Sequence, residues 1–419
     1  MSSFQSISLL LALTAVFVVI NHRFLKLPLT IGVMAQALVV SLLAIVAGQI
    51  WPESFQALCD QVEGLDFSGL LFEVLLSLLI FAGAFSTNPQ MLAKNKITII
   101  VLATVGVVLS TFIVGGLMYG ALQLMGFSVP FVHALLFGAL ISPTDPIAVI
   151  AILRESTVPQ DLQVEISGES LLNDGVAVVV FLTILDFASG DMSNIGALQV
   201  VGLLAREVGG GIALGLLLAW IGGRYLTRVR DDKIDLFITL ALVLGGYAVA
   251  DLLEVSGPLA MVALGITLAV VIKRGKVDPG TALSIENFWE TIDEVLNALL
   301  FMLIGIELIA ITHDFKVSYL VAGGIAIVIV LFARLASVSV PLYLIRLRHH
   351  PSGKALAVLT WGGLRGGISV ALALSLPVEL HRDLIVSITY IVVLFAILGQ
   401  GLTIGALVKR LKFKEMEKE

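Results

Sequence analysis

The chain has 419 residues, of which 58% are hydrophobic and only 13% are charged, and its mean hydropathy is +1.05. No soluble core needs so much apolar surface, so the composition excludes a soluble enzyme and predicts a polytopic helical membrane protein. Strands of a membrane barrel would be short and alternating, whereas these apolar runs are long and continuous. The net charge of −6 is less informative than the distribution of charged residues between the two sides of the membrane. The single Cys59 excludes an internal disulfide and a cysteine-based metal cluster.

Apolar segments of about twenty residues recur along the whole chain. No basic residue precedes the first segment and no small-residue cleavage site follows it, so we expect a membrane span there rather than a signal peptide. The pattern predicts thirteen spans, at 7–21, 28–50, 68–87, 97–124, 131–153, 164–187, 196–223, 234–252, 256–272, 291–312, 317–345, 355–377 and 384–408.

The loops between these segments alternate in charge. One set of loops holds only Lys316 and Arg382, and the other set, with the tail at 409–419, holds most of the 25 basic residues. The positive-inside rule places the second set in the cytoplasm, so the N-terminus is predicted outside and the C-terminus inside. Its members are Arg23, Lys26, Lys94, Lys96, Arg154, Arg224, Arg228, Arg230, Lys233, Lys273, Arg274, Lys276, Arg346, Arg348, Lys354, Lys409, Arg410, Lys412, Lys414 and Lys418.

Three arginines lie inside apolar runs instead. Arg206 stands beside Glu207, and we expect it either at the interface or in a local pair. Arg334 and Arg365 lie deeper in their segments, where each must find a carboxylate, a backbone carbonyl or water.

The fifth and twelfth segments share a design. Helix breakers surround one charge in each: Pro-Thr-Asp145-Pro in the first and Gly-Gly-Leu-Arg365-Gly-Gly in the second. Interrupted spans at matching places in two halves are typical of inverted-repeat transporters whose site lies where the spans cross. The carboxylate suits the exposed N–H groups of a half-helix and the guanidinium suits exposed carbonyls. Asp145 is a candidate ion- and proton-binding residue, because acids placed inside apolar runs usually mark an ion or proton pathway, although it could also serve only as a helix cap.

The sixth segment places four polar residues on one arc. At about 100° per residue, Glu169, Asn173, Ser170 and Asp174 fall near 0°, 40°, 100° and 140°. Such a face must look into the protein or a water-filled cavity, and its acids indicate an ion or proton pathway.

The residue types on this face suit a small hard cation, which prefers oxygen ligands. Asp174 supplies a charge, Ser170 a hydroxyl, and the unwound backbone near Thr144 supplies carbonyls. Burial penalises the charged form of a carboxylate, so a proton and a cation would compete for one acid and their flows would be coupled.

Glu169 needs a permanent partner, because two neighbouring ionised acids repel. Arg334 is favoured for this pair and Arg365 is the alternative. Uncharged Asn173 can orient the site by hydrogen bonds. With Asp174 as the single titrating acid, exchange is expected to be one cation for one proton and electrically silent.

The motifs Ser-Pro-Thr-Asp145-Pro, Gly-Glu169-Ser-Leu-Leu-Asn-Asp-Gly, Ser256-Gly-Pro-Leu-Ala and Gly-Gly-Leu-Arg365-Gly-Gly-Ile-Ser resemble the monovalent cation:proton antiporter-1 family, the NhaP-type bacterial exchangers related to animal sodium/proton exchangers. The resemblance implies thirteen helices, two of them crossed and unwound, in a homodimer with elevator-like alternating access in the bacterial inner membrane. It implies a single exchanger unit at 1–408, with core helices including 68–187 and 291–408 and dimerisation helices including 7–50 and 196–272.

The same resemblance implies roles for the site residues. Asp174 binds Na⁺, Li⁺ or H⁺, Asn173 is its paired asparagine, and Ser170 and the Thr144 main chain are co-ligands. The Asn-Asp pair resembles the electroneutral branch, and no cofactor is expected. The tail at 409–419 is short, so no regulatory domain is expected in this polypeptide.

Three other activities are alternatives to Na⁺/H⁺ exchange. K⁺/H⁺ exchange is the nearest alternative, because the choice between Na⁺ and K⁺ depends on the size of the binding cavity, which the sequence does not show. A cation channel would need repeated pore loops or subunit rings, which the sequence lacks. An intramembrane aspartyl hydrolase would need two equivalent acids, which Asp145 between prolines and Asp174 beside Asn173 are not. The histidines His133, His313, His349 and His350 are expected to be solvated surface residues, with pH sensing as the alternative for each.

Overall fold

The computed structural model describes residues 3–64, 67–154, 156–190, 197–228, 231–311, 316–345 and 352–413, and these are helical or loop residues without a strand. The helices, several of them extended by short π-helical stretches, are α1 (Ser3–Ile20), α2 (Leu29–Gly48), α3 (Pro52–Glu63), α4 (Phe67–Leu70), α5 (Leu76–Ser86), α6 (Pro89–Val101), α7 (Val107–Leu124), α8 (Phe131–Leu140), α9 (Ile147–Arg154), α10 (Gln160–Ser189), α11 (Ala197–Leu226), α12 (Asp232–Leu252), α13 (Gly257–Val271), α14 (Pro279–Ile311), α15 (Val317–Ile345), α16 (Gly353–Trp361), α17 (Gly367–Leu374), α18 (Arg382–Leu394) and α19 (Gly401–Leu411).

Every predicted span has a helical counterpart. Within the described residues, ten continuous helical stretches are long and apolar enough to cross a membrane: Ser8–Leu25, Leu29–Gly48, Pro89–Leu124, Gln160–Ser189, Gly202–Leu226, Lys233–Leu252, Gly257–Arg274, Pro279–Ile311, Val317–Ile345 and Arg382–Leu411. The other three predicted spans are built from shorter pieces, namely α4 with α5, α8 with α9, and α16 with α17. The all-helical polytopic prediction is therefore confirmed.

Helix starts differ from the apolar boundaries where a cap extends the helix into polar sequence. The fourth span, predicted from residue 97, begins at Pro89, because the Asn88 side chain accepts hydrogen bonds from the backbone N–H groups of Gln90 and Met91. The tenth, predicted from residue 291, begins at Pro279. Hydropathy marks only the part of a helix that meets lipid, whereas caps mark where its backbone begins.

The chain forms two compact units. The first comprises Met1–Leu71, Leu109–Pro159 and Asn297–Glu419 and contains both interrupted spans with opposite charges. Here α3, which the apolar pattern did not predict, buries Cys59 and Val62 against Ile309 near the end of α14. The second unit comprises Phe72–Val108 and Gln160–Leu296.

Helices of the second unit approach closely at glycines. A Cβ on Gly215 of α11 would lie 2.8 Å from the Ala263 Cβ of α13, and one on Gly211 would lie 3.2 Å from the Ser256 Cβ. A Cβ on Gly168 of α10 would meet Leu92 of α6 at 2.8 Å. Small residues four positions apart let membrane helices pack backbone to backbone.

The proposed division into core helices (68–187 and 291–408) and dimerisation helices (7–50 and 196–272) stays a prediction. The basic loop that holds Arg346 and Arg348 lies outside the described residues, as do Arg230, Lys414 and Lys418.

Candidate functional site

The fifth span is interrupted at its predicted breakers. Helix α8 ends at Leu140, residues 142–146 are not helical, and α9 begins at Ile147. The Asp145 carboxylate accepts a hydrogen bond of 3.1 Å from the Ile147 N–H, so it caps the N-terminus of α9. The Ser142 hydroxyl donates back to the Gly138 carbonyl at 2.6 Å, closing the end of α8.

The twelfth span is interrupted in the same way. Helix α16 ends at Trp361, residues 363–366 are not helical, and α17 begins at Gly367. The Arg365 guanidinium is 2% exposed, and its Nη1 donates to the carbonyls of Ser142 at 2.6 Å and Pro143 at 3.0 Å. In return, the Asp145 N–H donates to the Leu364 carbonyl at 2.9 Å. The two unwound segments are thus joined by three hydrogen bonds, and the predicted crossing of two unwound helices is present.

Each charge lies against the helix end that suits it. The Asp145 carboxylate occupies the positive N-terminal end of α9, and the Arg365 guanidinium binds carbonyls left free beyond the C-terminal end of α8. The Ser142 and Pro143 carbonyls would otherwise be buried acceptors without an intrahelical donor. Opposite charges at the crossing therefore satisfy the backbone groups that the breakers expose.

Glycines allow this approach. A Cβ on Gly366 would lie 2.8 Å from Cγ of Asp145, and one on Gly363 would lie 2.9 Å from Cζ of Arg334. Both distances are shorter than real Cβ contacts, so any side chain at these positions would push the two charged groups aside.

Arg334 lies beside the same crossing. It is 6% exposed on α15, and its Nε and Nη2 donate to the Leu359 carbonyl in the last turn of α16 at 3.3 and 3.1 Å. A cavity of about 10 Å³ lies here, and its lining combines apolar side chains of α15 and α18 with the polar residues Arg334, Thr360, Arg365 and Gln400. Among the described residues, the buried Thr360 hydroxyl oxygen has no hydrogen-bond partner. A cavity of this size fits one ordered water, which these polar groups could bind.

The polar face of the sixth span lies in the second unit on α10, which runs unbroken over Gln160–Ser189. Glu169, Ser170 and Asn173 are buried, with 2%, 6% and 1% exposure, whereas Asp174 is half-buried. Glu165, one turn before Glu169, is also buried at 3%. Sequence reasoning did not single out Glu165, although its spacing of four from Glu169 was the signal that could have found it.

The predicted site residues therefore form two groups. Thr144, Asp145, Arg365 and Arg334 belong to the first unit, where Thr144 is buried in the interrupted segment. The second unit holds the four polar residues of α10. The pairing of Glu169 with Arg334 and the ligand roles stay predictions.

Arg206 was expected either at the interface or in a local pair with Glu207. It is half-exposed, forms an ion pair of 3.1 Å with Glu254, and donates to the Leu253 carbonyl at 3.1 Å. The salt-bridge partner of Arg206 is therefore Glu254, which is distant in the sequence, and not the neighbouring Glu207.

The expectation of a solvated His133 was wrong. This side chain is 8% exposed, and its Nδ1 lies 2.9 Å from Nδ1 of His381. Burial follows from the position of His133 in the first turn of α8, which packs against α17. His313, His349 and His350 lie outside the described residues.

Known proteins share both the sequence and the fold. A family model described as sodium/hydrogen exchanger, transmembrane, matches residues 9–410. The Na⁺/H⁺ antiporter NhaP of Pseudomonas aeruginosa is 43% identical over 409 residues, covering 96% of this chain and 95% of the relative. The Na⁺/H⁺ antiporter NhaH of Halobacillus dabanensis is 32% identical over 415 residues, covering 97% of this chain and 98% of the relative.

The solved structure of the sodium proton antiporter MjNhaP1 from Methanocaldococcus jannaschii at pH 8 superposes with a TM-score of 0.74 over 98% of both chains, at 20% identity, and so shares the fold. The match to the family model over nearly the whole chain agrees with the resemblance carried by the four motifs. The chain therefore belongs to the sodium/hydrogen exchanger family, whose members are membrane transporters rather than enzymes.

Proposed function

We propose that this protein exchanges Na⁺ or Li⁺ for H⁺ by alternating access, with one cation exchanged for one proton. The observation that carries the proposal is the polar face of α10, where the half-buried Asp174 follows three buried polar residues. The relatives from Pseudomonas and Halobacillus, both named Na⁺/H⁺ antiporters, support the same activity.

Asp174 is the residue proposed to bind cation and proton in turn. Of the three acids at 165, 169 and 174 on α10, it alone is not buried, so it is the one that water and ions reach most readily. A bound Na⁺ favours the ionised carboxylate, and protonation neutralises it and expels the cation. This competition couples the two flows without any cofactor.

Ser170 and Asn173 lie one turn and one residue before Asp174. We propose that the Ser170 hydroxyl is a cation ligand and that Asn173 orients the carboxylate by a hydrogen bond. The Thr144 main chain is proposed as a further ligand, on the basis of the family resemblance. Small hard cations select such oxygen donors.

The remaining charges are proposed to be permanent. The guanidinium of Arg365 is committed to two backbone carbonyls, and the carboxylate of Asp145 to the N-terminus of α9. Glu169 is proposed to neutralise Arg334. With these charges fixed, one carboxylate titrates during the cycle, which makes exchange electrically silent.

The proposed setting is a bacterial inner membrane with the C-terminus in the cytoplasm, where the protein acts as a homodimer in contact with lipid. In that setting it would export sodium or control internal pH.

The test measures proton flux in everted vesicles that hold an acid interior, read with a pH-sensitive dye. Na⁺, Li⁺ and K⁺ are added in turn, with and without an ionophore that clamps the membrane potential. Recovery of fluorescence with Na⁺ and Li⁺ alone, unchanged by the clamp, is expected. A response to K⁺ would assign the protein to K⁺/H⁺ exchange, and a response altered by the clamp would refute the electrically silent cycle.

The same assay tests the proposed acid. Asp174→Asn is expected to abolish exchange while the protein remains in the membrane, because an amide cannot bind a proton and a cation in turn. Asp186→Asn is the matched control, since Asp186 is an exposed acid near the C-terminal end of the same helix. Exchange that survives in Asp174→Asn would overturn the site assignment.

A further inference from the structure

Two histidines of the first unit meet, and neither belongs to the proposed ion site. His133 lies in the first turn of α8, and His381 lies between a short 3₁₀ turn at Val378–Leu380 and the start of α18. Their Nδ1 atoms are 2.9 Å apart, and their ring centroids are 5.1 Å apart with the ring planes at 63°. His133 is buried and His381 is exposed, with a left-handed backbone at φ 58°.

The short distance constrains the chemistry of the pair. A hydrogen bond between two Nδ1 atoms needs one N–H and one lone pair, so at least one ring is neutral and presents its Nδ1 lone pair to the other. When the proton between the two rings leaves, the Nδ1 lone pairs of His133 and His381 both point into the space between the rings. Neutral imidazole nitrogens are the commonest protein ligands for transition metals, and they suit Zn²⁺, Cu²⁺ and Ni²⁺.

The geometry is close to what a metal requires. Zn–N bonds of about 2.0–2.1 Å in a tetrahedron place two ligand nitrogens about 3.3–3.4 Å apart. The observed 2.9 Å must therefore widen by roughly half an ångström, with a turn of the rings that makes the lone pairs converge. The exposed His381, at a turn between two helical elements, is the ring that can make this adjustment. The buried His133 is the fixed ligand.

The other coordination positions would be filled by water. Across the residues that the structure describes, no group of three or more His, Cys, Asp or Glu side chains is arranged to hold a metal. Glu379, Arg382 and Asp383 lie within two positions of His381, so the carboxylates outnumber the one cationic side chain there. A divalent cation approaching this end meets a net negative turn.

We propose that His133 and His381 form a binding site for a divalent transition metal ion. The site joins the start of α8, whose C-terminal end leads to Asp145, to the turn that follows α17, which begins after Arg365. A bound ion would replace the shared proton and clamp the far ends of the two spans that cross at the unwound segments. The charge pattern predicts that this end faces outside, where such an ion could reach the site without crossing the membrane.

The test uses purified full-length protein in detergent, freed of any histidine tag and treated with chelator. To isolate the pair, His22, His313, His349 and His350 are replaced by alanine together, which leaves only two of the six histidines. Cu²⁺ is then titrated and the bound ion is examined by electron paramagnetic resonance. One Cu²⁺ per chain with hyperfine coupling to two imidazole nitrogens is expected.

Adding His381→Ala to that variant is expected to raise the Cu²⁺ dissociation constant by at least about tenfold, since loss of even an outer-sphere partner commonly costs that much. His381 is exposed, so this change should leave the fold intact, whereas His133→Ala removes a buried side chain. The metal should also raise the unfolding temperature when His381 is present and not when it is absent, because a ligand that binds only the folded state stabilises it.

Two results would overturn the proposal. Cu²⁺ affinity that does not change in His381→Ala would place the metal elsewhere. No binding by the variant that keeps both histidines would mean that they form a hydrogen-bonded pair only. Neither readout depends on transport, so failure here is distinguishable from failure of the proposed exchange.

Discussion

Arg365 and Asp145 bring opposite charges to one crossing, and each binds backbone groups rather than the other charge. Arg365 donates to the Ser142 and Pro143 carbonyls, and Asp145 accepts from the Ile147 N–H. Hydrogen bonds to charged groups contribute about 1.5–3 kcal/mol each. The breakers expose polar backbone, and the two side chains compensate for that exposure, so the residue types at this crossing are explained before any role in transport is assigned.

Gly366 is where a single methyl group should damage the crossing. Its added Cβ would lie 2.8 Å from Cγ of Asp145, so Gly366→Ala is expected to destabilise the protein by about 1–3 kcal/mol, as overpacking commonly does. Thermal unfolding in detergent measures the effect. Gly324→Ala is the matched control, because nothing lies within 4 Å of its Cβ. Equal unfolding temperatures for the two variants would contradict the close approach.

Glu169 and Asp174 should separate stability from transport. If buried Glu169 neutralises buried Arg334, then Glu169→Ala leaves a buried charge uncompensated and is expected to cost about 3–5 kcal/mol. Asp174→Asn should cost much less, because Asp174 is half-buried and the amide keeps the shape of the side chain. Thermal stability of the two purified variants provides the comparison. Equal stability would count against the predicted ion pair.

At the scale of the helix, clusters of proline or glycine around a charge distinguish two interrupted spans from a third span that is continuous. Prolines around Asp145 interrupt the span between α8 and α9, and glycines around Arg365 interrupt the span between α16 and α17. The sixth span carries four polar residues and still forms one helix, α10, since none of them prevents helical backbone. Glycines at 168 and 175 in α10 serve close packing, against α6 and α13 respectively.

Helix packing in the second unit gives a prediction of its own. Gly211 and Gly215 face α13 from α11, and a Cβ at Gly215 would lie 2.8 Å from the Ala263 Cβ and against the Ala260 backbone. Gly215→Ala is therefore expected to lower stability by about 1–3 kcal/mol. Gly209→Ala on the same helix meets nothing within 4 Å and should be neutral or stabilising by about 0.5–1 kcal/mol.

Thermal unfolding of the two purified α11 variants distinguishes them. Intrinsic tryptophan fluorescence, or a dye that does not react with cysteine, reports the transition. A Gly209→Ala variant as unstable as Gly215→Ala would show that helix α11 tolerates no added methyl group anywhere. The close approach to α13 would then not explain the glycines.

For the whole molecule, the distribution of charge predicts the orientation, and site-directed labelling can check it. In a Cys59→Ser background, Glu379→Cys should react with a membrane-impermeant maleimide in intact cells, because its turn is predicted outside. Arg274→Cys should react only after permeabilisation, because its loop is predicted inside. Both positions are exposed, so accessibility in the folded protein does not differ between them. Reversed labelling would invert the predicted topology.

At the scale of the whole molecule, the family model matches residues 9–410 and so includes both compact units. The unit that contains the crossing and the unit that contains α10 are each compact. The fold is shared with MjNhaP1 over 98% of both chains.

Local rules account for what could be predicted from the sequence alone. Apolar length predicted the spans, breakers around Asp145 and Arg365 predicted the two interruptions, and helical periodicity placed Glu169, Ser170, Asn173 and Asp174 on one face. These properties depend on near neighbours in the chain, because a helix is made of bonds between residues four apart. The family motifs are similarly local.

Tertiary structure alone decided which distant groups meet. The hydrogen bonds from Arg365 reach residues 223 and 222 positions away, and the contact between His133 and His381 spans 248 positions. No periodicity encodes such separations, so His133 was expected at the surface and is buried instead. Hydrophobicity determines where the chain crosses the membrane, whereas the packing of one helix against another determines which polar groups each crossing must satisfy.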